Sequence, residues 1–226
     1  MIGVTGLEPA TSRPPVQLIG WSKKKAFVID YFIFEGNTFD IESPCWSELD
    51  EILKRKWKLR NKDDIEIKAL SIDAQYNSTT VGKFARSRRK VYPINGLDRF
   101  DTPVHPPKPM LIKSNGRWVK TGKKRWPISS SLLKMDVYNR LKLDEDSIES
   151  ISFCKGLSEE YYKQLTAESL DIVTTNTNAI KHKWSKNYQN NEALDTLANN
   201  LGLHTILFGN WSDERWEAHE KKVLRS

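Results

Sequence analysis

Apolar residues recur along this chain in two rhythms, one with a period of two and one with a period between three and four. Residues 16–21 read as a short strand, and 26–34 (AFVIDYFIF) are almost continuously apolar, which predicts a strand buried on both faces. Ser43 stands where a helix cap would, with Pro44 at the first helical position. Trp46, Leu49, Leu53 and Trp57 then recur at three- and four-residue steps, an apolar stripe with charges opposite. Residues 65–72 alternate and then run apolar, a strand that ends on Asp73 and gives way to a polar stretch at 74–78. A helix at about 79–89 turns Val81, Phe84 and Ala85 inward, and 91–95 reads as the next strand.

Residues 101–109 form a proline-rich crossing, and Ser-Asn-Gly at 114–116 joins 110–113 to 117–120 as a hairpin. A helix follows at 129–143, a short strand at 150–153, and a helix capped by Ser158 with Glu159 and Glu160 in its first turn. Strands at 171–174 and 180–184, a helix at 191–203 and an amphipathic segment at about 212–223 complete the chain. Residues 1–15 follow neither rhythm. With Pro9, Pro14 and Pro15 they predict an irregular arm that forms no ladder, because proline donates no backbone hydrogen bond. Strands interleaved with helices predict an α/β or mixed α+β domain around one central sheet, over residues 16–205, with 206–226 as a tail.

Charge adds a direction to this picture. Lys plus Arg number 36 against 29 Asp plus Glu, and the excess gathers at 54–60, 86–90, 120–125 and 181–186, three of these runs with a tryptophan inside or alongside. Clustered cations suit a polyphosphate, since each neutralised phosphate releases a counterion, although solvated faces give the same pattern. Arg86, Arg88, Arg89 and Lys90 are the candidate DNA contacts; cations in a helix's last turn also complement its dipole. No apolar run has the length of a membrane span, so no membrane partner is expected. Cys45 and Cys154 form no CxxC pair, which suits a reducing cytosol.

Two acids stand out by position. Asp73 closes a buried strand and opens a polar loop, where sheet domains present working groups, and Asp195 flanks the inward stripe of the last long helix. A strand-end carboxylate and a helix carboxylate facing one sheet can jointly hold a divalent cation; solvated or capping aspartates have the same look. His105, His182, His204 and His219 show no metal-ligand spacing. The chain contains neither a G-x-x-x-x-G-K-[ST] loop nor a G-x-S-x-G elbow, so no Walker-type ATP site and no hydrolase elbow is expected.

An ordered set of strings resembles the phage terminase large subunits of the lambda GpA type. Gly20–Trp21, FVIDY at 27–31 and Glu35–Gly36 are similar to a strand pair of that family, and WSELDEIL at 46–53 to the helix after it. ALSIDA at 69–74 falls where the family has IDSGG, and residues 79–89 resemble its next helix. Residues 126–141, with Lys134 and YNRL at 138–141, resemble GVDTAKDLIYGRL. EEYYKQLTAES at 159–169, then Trp184–Lys186 and NEALD at 191–195, complete the set in the family's order.

The resemblance implies an RNase H-like nuclease fold, a mixed central sheet flanked by helices. It implies carboxylates that bind Mg²⁺ or Mn²⁺ for two-metal cleavage of double-stranded DNA during packaging. Small terminase subunit and portal would be partners and the host cytoplasm the location. Asp73 matches the family's second acid and Asp195 its third; Lys134 matches a family lysine that contacts phosphate or sits on a helix surface. The departures matter as much. The family's first aspartate precedes the GW string, yet residues 1–29 contain no aspartate. An ungapped count sets Glu8 near that position, and Asp30 fits a paired structural role better. Ser131 stands at the GVDT aspartate, and Gln75 and Tyr76 where glycines are the rule. TGLEPATSRPP at 5–15 resembles a peptide found in translations around transfer-RNA genes, so a truncated chain lacking one carboxylate is expected. An inactive prophage remnant that still binds DNA, or a module for the small subunit or portal, stays open beside the nuclease.

Overall fold

The computed structural model describes residues 2–6, 13–58, 64–174 and 180–225. Among them lie β1 (Ile2–Gly6), β2 (Pro15–Trp21), β3 (Ala26–Ile33), α1 (Pro44–Lys54), β4 (Lys56–Lys58), β5 (Asp64–Asp73), α2 (Ser78–Arg86) and β6 (Val91–Leu97). Then come β7 (Lys108–Ser114), β8 (Arg117–Ser129), α3 (Ser130–Leu141), β9 (Ile151–Phe153), α4 (Glu159–Leu165), β10 (Glu168–Thr174), β11 (Ile180–Lys186), α5 (Glu192–Phe208) and α6 (Asp213–Arg225). The fold is a mixed α/β domain. Its main sheet has the order β7-β8-β6-β5-β1-β2-β3-β9, with β4 beside the start of β5, and β10 and β11 make a separate antiparallel pair.

Residues 2–6 depart from the expected irregular arm. β1 lies between β2 and β5, antiparallel to the first and parallel to the second. The prolines of the described segment do not prevent this, because they stand where no ladder donor is needed: Pro15 opens β2, and the Pro14 carbonyl accepts the Phe34 N–H at 3.1 Å. Glu8 and Pro9 lie outside the described residues. From β1 onward the pairings β1·β5, β5·β6 and β6·β8 are all parallel, so the carboxyl ends of these strands share one edge of the sheet.

Two cores cover the two faces. Val16, Leu18, Leu70 and Ile72 pack with Trp46, Leu49 and Phe84 of α1 and α2 on one face. On the other, Ile19, Ile94 and Ile128 pack with Leu133, Tyr161, Leu194, Leu197 and Leu201 of α3, α4 and α5. β2 feeds both and is buried throughout, which is why its short run is so apolar. The α1 stripe buries Trp46, Leu49 and Leu53 as its spacing predicts, but the helix stops at Lys54. Trp57 belongs instead to β4, opposite Ile65, and packs near Phe32. Ser43 makes no side-chain cap; its Oγ accepts the Asn37 N–H. Ser158 does cap α4, accepting the Tyr161 N–H at 3.1 Å. The tail is joined to the domain, with Trp216 of α6 buried against His204 and Phe208.

Candidate active site

A cleft of about 600 Å³ opens at the shared carboxyl edge of the parallel strands, walled by the ends of β5 and β6, the start of α3, the first turn of α5 and the β10–β11 pair. Open α/β sheets offer ligands this edge because the strands end there and the loops that follow are free to carry chemistry. Both sequence-picked acids face it. Asp73 is the last residue of β5, half-buried, with Oδ1 accepting the Gln75 N–H at 2.8 Å. Burial pushes its carboxyl up to about 6, the negative charge of Asp195 adds to the rise, and the Gln75 amide and Arg125 oppose it.

Asp195 sits in the first turn of α5. Its Oδ1 meets Lys134 Nζ at 2.7 Å and its Oδ2 accepts from Asn191 Nδ2 at 2.9 Å. Burial raises its carboxyl above the ordinary range despite the adjacent ammonium. Lys134 is not the surface lysine of the sequence reading. It is 9% exposed and bridges Asp195 and Glu168, the latter at 2.8 Å. Burial alone would lower its ammonium, and the two carboxylates more than reverse this. Asn191 also donates to Glu168 Oε1, and Lys186 Nζ donates to Asn191 Oδ1 at 2.9 Å. One helical turn along α3, Tyr138 donates to the Glu168 carbonyl at 2.6 Å and fixes the start of β10.

Two acids of this cleft escape a reading of the sequence. Glu168 is buried and lies within the EEYYKQLTAES string, so that string's match is its one signal. Asp98 follows β6 and accepts from Ser131 Oγ at 2.5 Å. The candidate cations are distributed differently from expectation. Arg86, Arg88, Arg89 and Lys90 lie at and after the end of α2, at the opposite edge of the sheet, and none lines the cleft. Arg88 is tied to Asp50 at 2.7 Å and lies 4.0 Å over the Phe84 ring, and Lys90 meets Glu66 at 3.2 Å. The cations that do line it are Lys134, Lys183 and Lys186.

The donor chemistry of Asp73 and Asp195, carboxylate oxygen without thiolate or imidazole, fits one hard divalent cation. Their mutual repulsion is what a cation between them would relieve. Two ions do not fit as well. Among the described residues no group of three or more His, Cys, Asp or Glu side chains could hold a metal, and Glu168 is already engaged by Lys134 and Asn191.

Fold and cleft together define an α/β domain with an acidic centre at the carboxyl edge of its parallel strands. The chain belongs to the family described as terminase large subunit gpA, endonuclease domain, whose sequence model matches residues 10–216. No curated protein and no solved structure matches it. Among the described residues no helix is long and apolar enough to cross a membrane.

Proposed function

We propose that this chain is a metal-dependent DNA endonuclease domain of a phage packaging terminase, with the Asp73–Asp195 cleft as its centre. The observation that carries the reading is the convergence of a strand-end acid and a helix acid, 122 positions apart, on the lining of one cleft, where the charge of Asp195 acts on Asp73. Three antiparallel strands (β3, β2, β1) followed by three parallel ones (β5, β6, β8) support an RNase H-like arrangement. Asp73 and Asp195 are the residues to hold Mg²⁺ or Mn²⁺. Such an ion, when bound, polarises the phosphodiester and lowers the pKa of an attacking water. Lys134 holds Asp195 in place and neutralises Glu168, and Lys183 and Lys186 attract the DNA backbone into the cleft. Asp73 binds a cation only when ionised, so metal affinity rises with pH through about 6. Double-stranded DNA is the substrate, the small terminase subunit and portal are the protein partners, and the host cytoplasm is the location.

The test is nicking of supercoiled plasmid by the 226-residue chain in Mn²⁺ or Mg²⁺, with chelator as control. Metal-dependent nicking that Asp73→Asn and Asp195→Asn each abolish is the expected result, at a low rate because the ligand set for a second ion is incomplete. Nicking that survives both substitutions sinks the reading. DNA binding without any cleavage favours the inactive remnant, a reading in keeping with the lack, among the described residues, of a group of three acids placed to share a metal.

A further inference from the structure

The longest strand among the described residues leads away from the cleft. β8 pairs with β6 from Trp126 to Ser129; among the described residues its earlier part pairs only with β7, as a two-stranded ribbon projecting past the amino edge of β6. Asn115 and Gly116 turn the ribbon with positive φ of 48° and 74°, the conformation a two-residue hairpin turn needs. One ribbon face is closed: Met110, Ile112 and Thr121 lie so close to α2 that a Cβ on Gly82 would come within 2.6 Å of the Ile112 side chain. The other face is open. Leu111 stands opposite Lys120, and Lys113 opposite Trp118, which is 64% exposed.

Its charge is one-sided. Between Lys108 and Arg125 the sequence carries Lys or Arg at seven positions and neither Asp nor Glu. Exposed lysines elsewhere find acids, as Lys24 does in Glu149, Lys54 in Asp50 and Lys163 in Glu159. Lys113, Arg117, Lys120 and Lys124 have no ion-pair partner among the described residues; Lys113 instead lies 5.9 Å over the Trp118 ring. Unpaired cations on a rigid, twisted two-stranded ribbon make a field and a shape that duplex DNA complements, since a groove of B-DNA admits such a ribbon and its phosphates need cations.

We infer that the β7–β8 ribbon is a docking arm for the backbone of duplex DNA, separate from the acid cleft and contacting the duplex about one helical turn from it. The spacing follows from β8 itself. The ten residue-to-residue steps from Lys120 to Ser130, at the cleft wall, span at most about 33 Å at 3.3 Å per step, and a duplex repeats its face every ~34 Å. A ribbon held there fixes rotation of the duplex as well as position, and so decides which phosphate reaches Asp73. This rests on the reading that DNA is the substrate, though not on the chain being able to cut it.

Binding of a 30-base-pair duplex to the full chain, measured in chelator by fluorescence anisotropy over a salt series, tests the arm without any cleavage. The variant Lys113→Gln, Arg117→Gln, Lys120→Gln changes only exposed side chains. It should bind more weakly and flatten the log–log salt slope by roughly 0.9 for every phosphate that the chain no longer neutralises. A control variant, Lys142→Gln, Lys155→Gln, Lys163→Gln, removes the same charge away from the ribbon and should leave the slope within error. An unchanged slope in the ribbon variant overturns the proposal, and so does an equal fall in both variants, which reports net charge alone. A chain that never nicks plasmid but loses affinity through the ribbon fails as a nuclease while keeping its docking arm. One that nicks normally and binds DNA normally with the ribbon neutralised keeps the cleft and loses the arm.

Discussion

The two edges of the sheet are opposites in how they hold charge. At the carboxyl edge Lys134, Asp195, Glu168, Asn191 and Lys186 form one connected network in which each of these groups has a partner within 3 Å. Along the ribbon, which projects past the amino edge, the charges are mostly exposed and of one sign. The first arrangement is costly to assemble and costly to disturb, because a buried ion left without its partner has lost its water and gained nothing. The second costs the fold almost nothing and acts through a long-range field. Stability should therefore be sensitive to substitution in the cleft and, on the proposed role of the ribbon, DNA affinity to substitution there.

The largest expected effect is from Lys134→Met, which keeps much of the side-chain volume and leaves Asp195 and Glu168 facing each other. A loss of about 3–5 kcal/mol in urea unfolding at pH 7 is expected, and one under about 1 kcal/mol would mean that the network is looser than its distances imply. Next comes Asp73→Asn, which should stabilise. Burial raises this carboxyl from 3.8 to about 6, so the folded chain holds its proton more tightly than the unfolded chain does. The neutral form favours folding; its contribution is present below about pH 4 and is lost as pH rises to about 6. Asparagine imitates the neutral form at every pH and its Oδ1 still accepts the Gln75 amide. The variant should gain about 1–3 kcal/mol over the parent at pH 8, with the gap closing by pH 4; a gap that is flat with pH would contradict the buried carboxylate. The smallest effect is for the ribbon triple variant, whose unfolding free energy should match the parent within about 0.5 kcal/mol. A larger loss there would erase the contrast between the two edges.

What can be read from the sequence follows the same division. Elements that bury one apolar face announce themselves: β5, α1 and α5 lie where the runs and stripes set them, and Asp73 is visible because it stands where such a run stops. β3 also lies where its run sets it, but it is not buried on both faces as the run implies: Phe27 and Ile33 are exposed. β1 is not, since five residues with two glycines have no period, and their place comes from two neighbouring strands rather than from their own pattern. β8 reads as short, ending at Lys120, because Gly122, Lys123, Lys124 and Arg125 interrupt its apolar rhythm before the buried Pro127, Ile128 and Ser129. Glu168 is hidden because a buried acid is made tolerable by a lysine 34 positions away, a relation no local pattern carries. Arg88 misleads for the converse reason: Asp50, on another helix, already claims it.

β1 has one more consequence. Among the described residues it alone joins β2, β3 and β9 to β5, β6, β8 and β7 in the main sheet. Its pairing of Ile2 with Ile67 spans 65 positions, a long-range closure of the sort that slows folding. Until it forms, β2 and β5 each present an unpaired edge, and bare edges recruit strands from other molecules. The rate at which this short strand finds its slot should therefore set both how fast the domain matures and how much of it is lost to aggregation on the way.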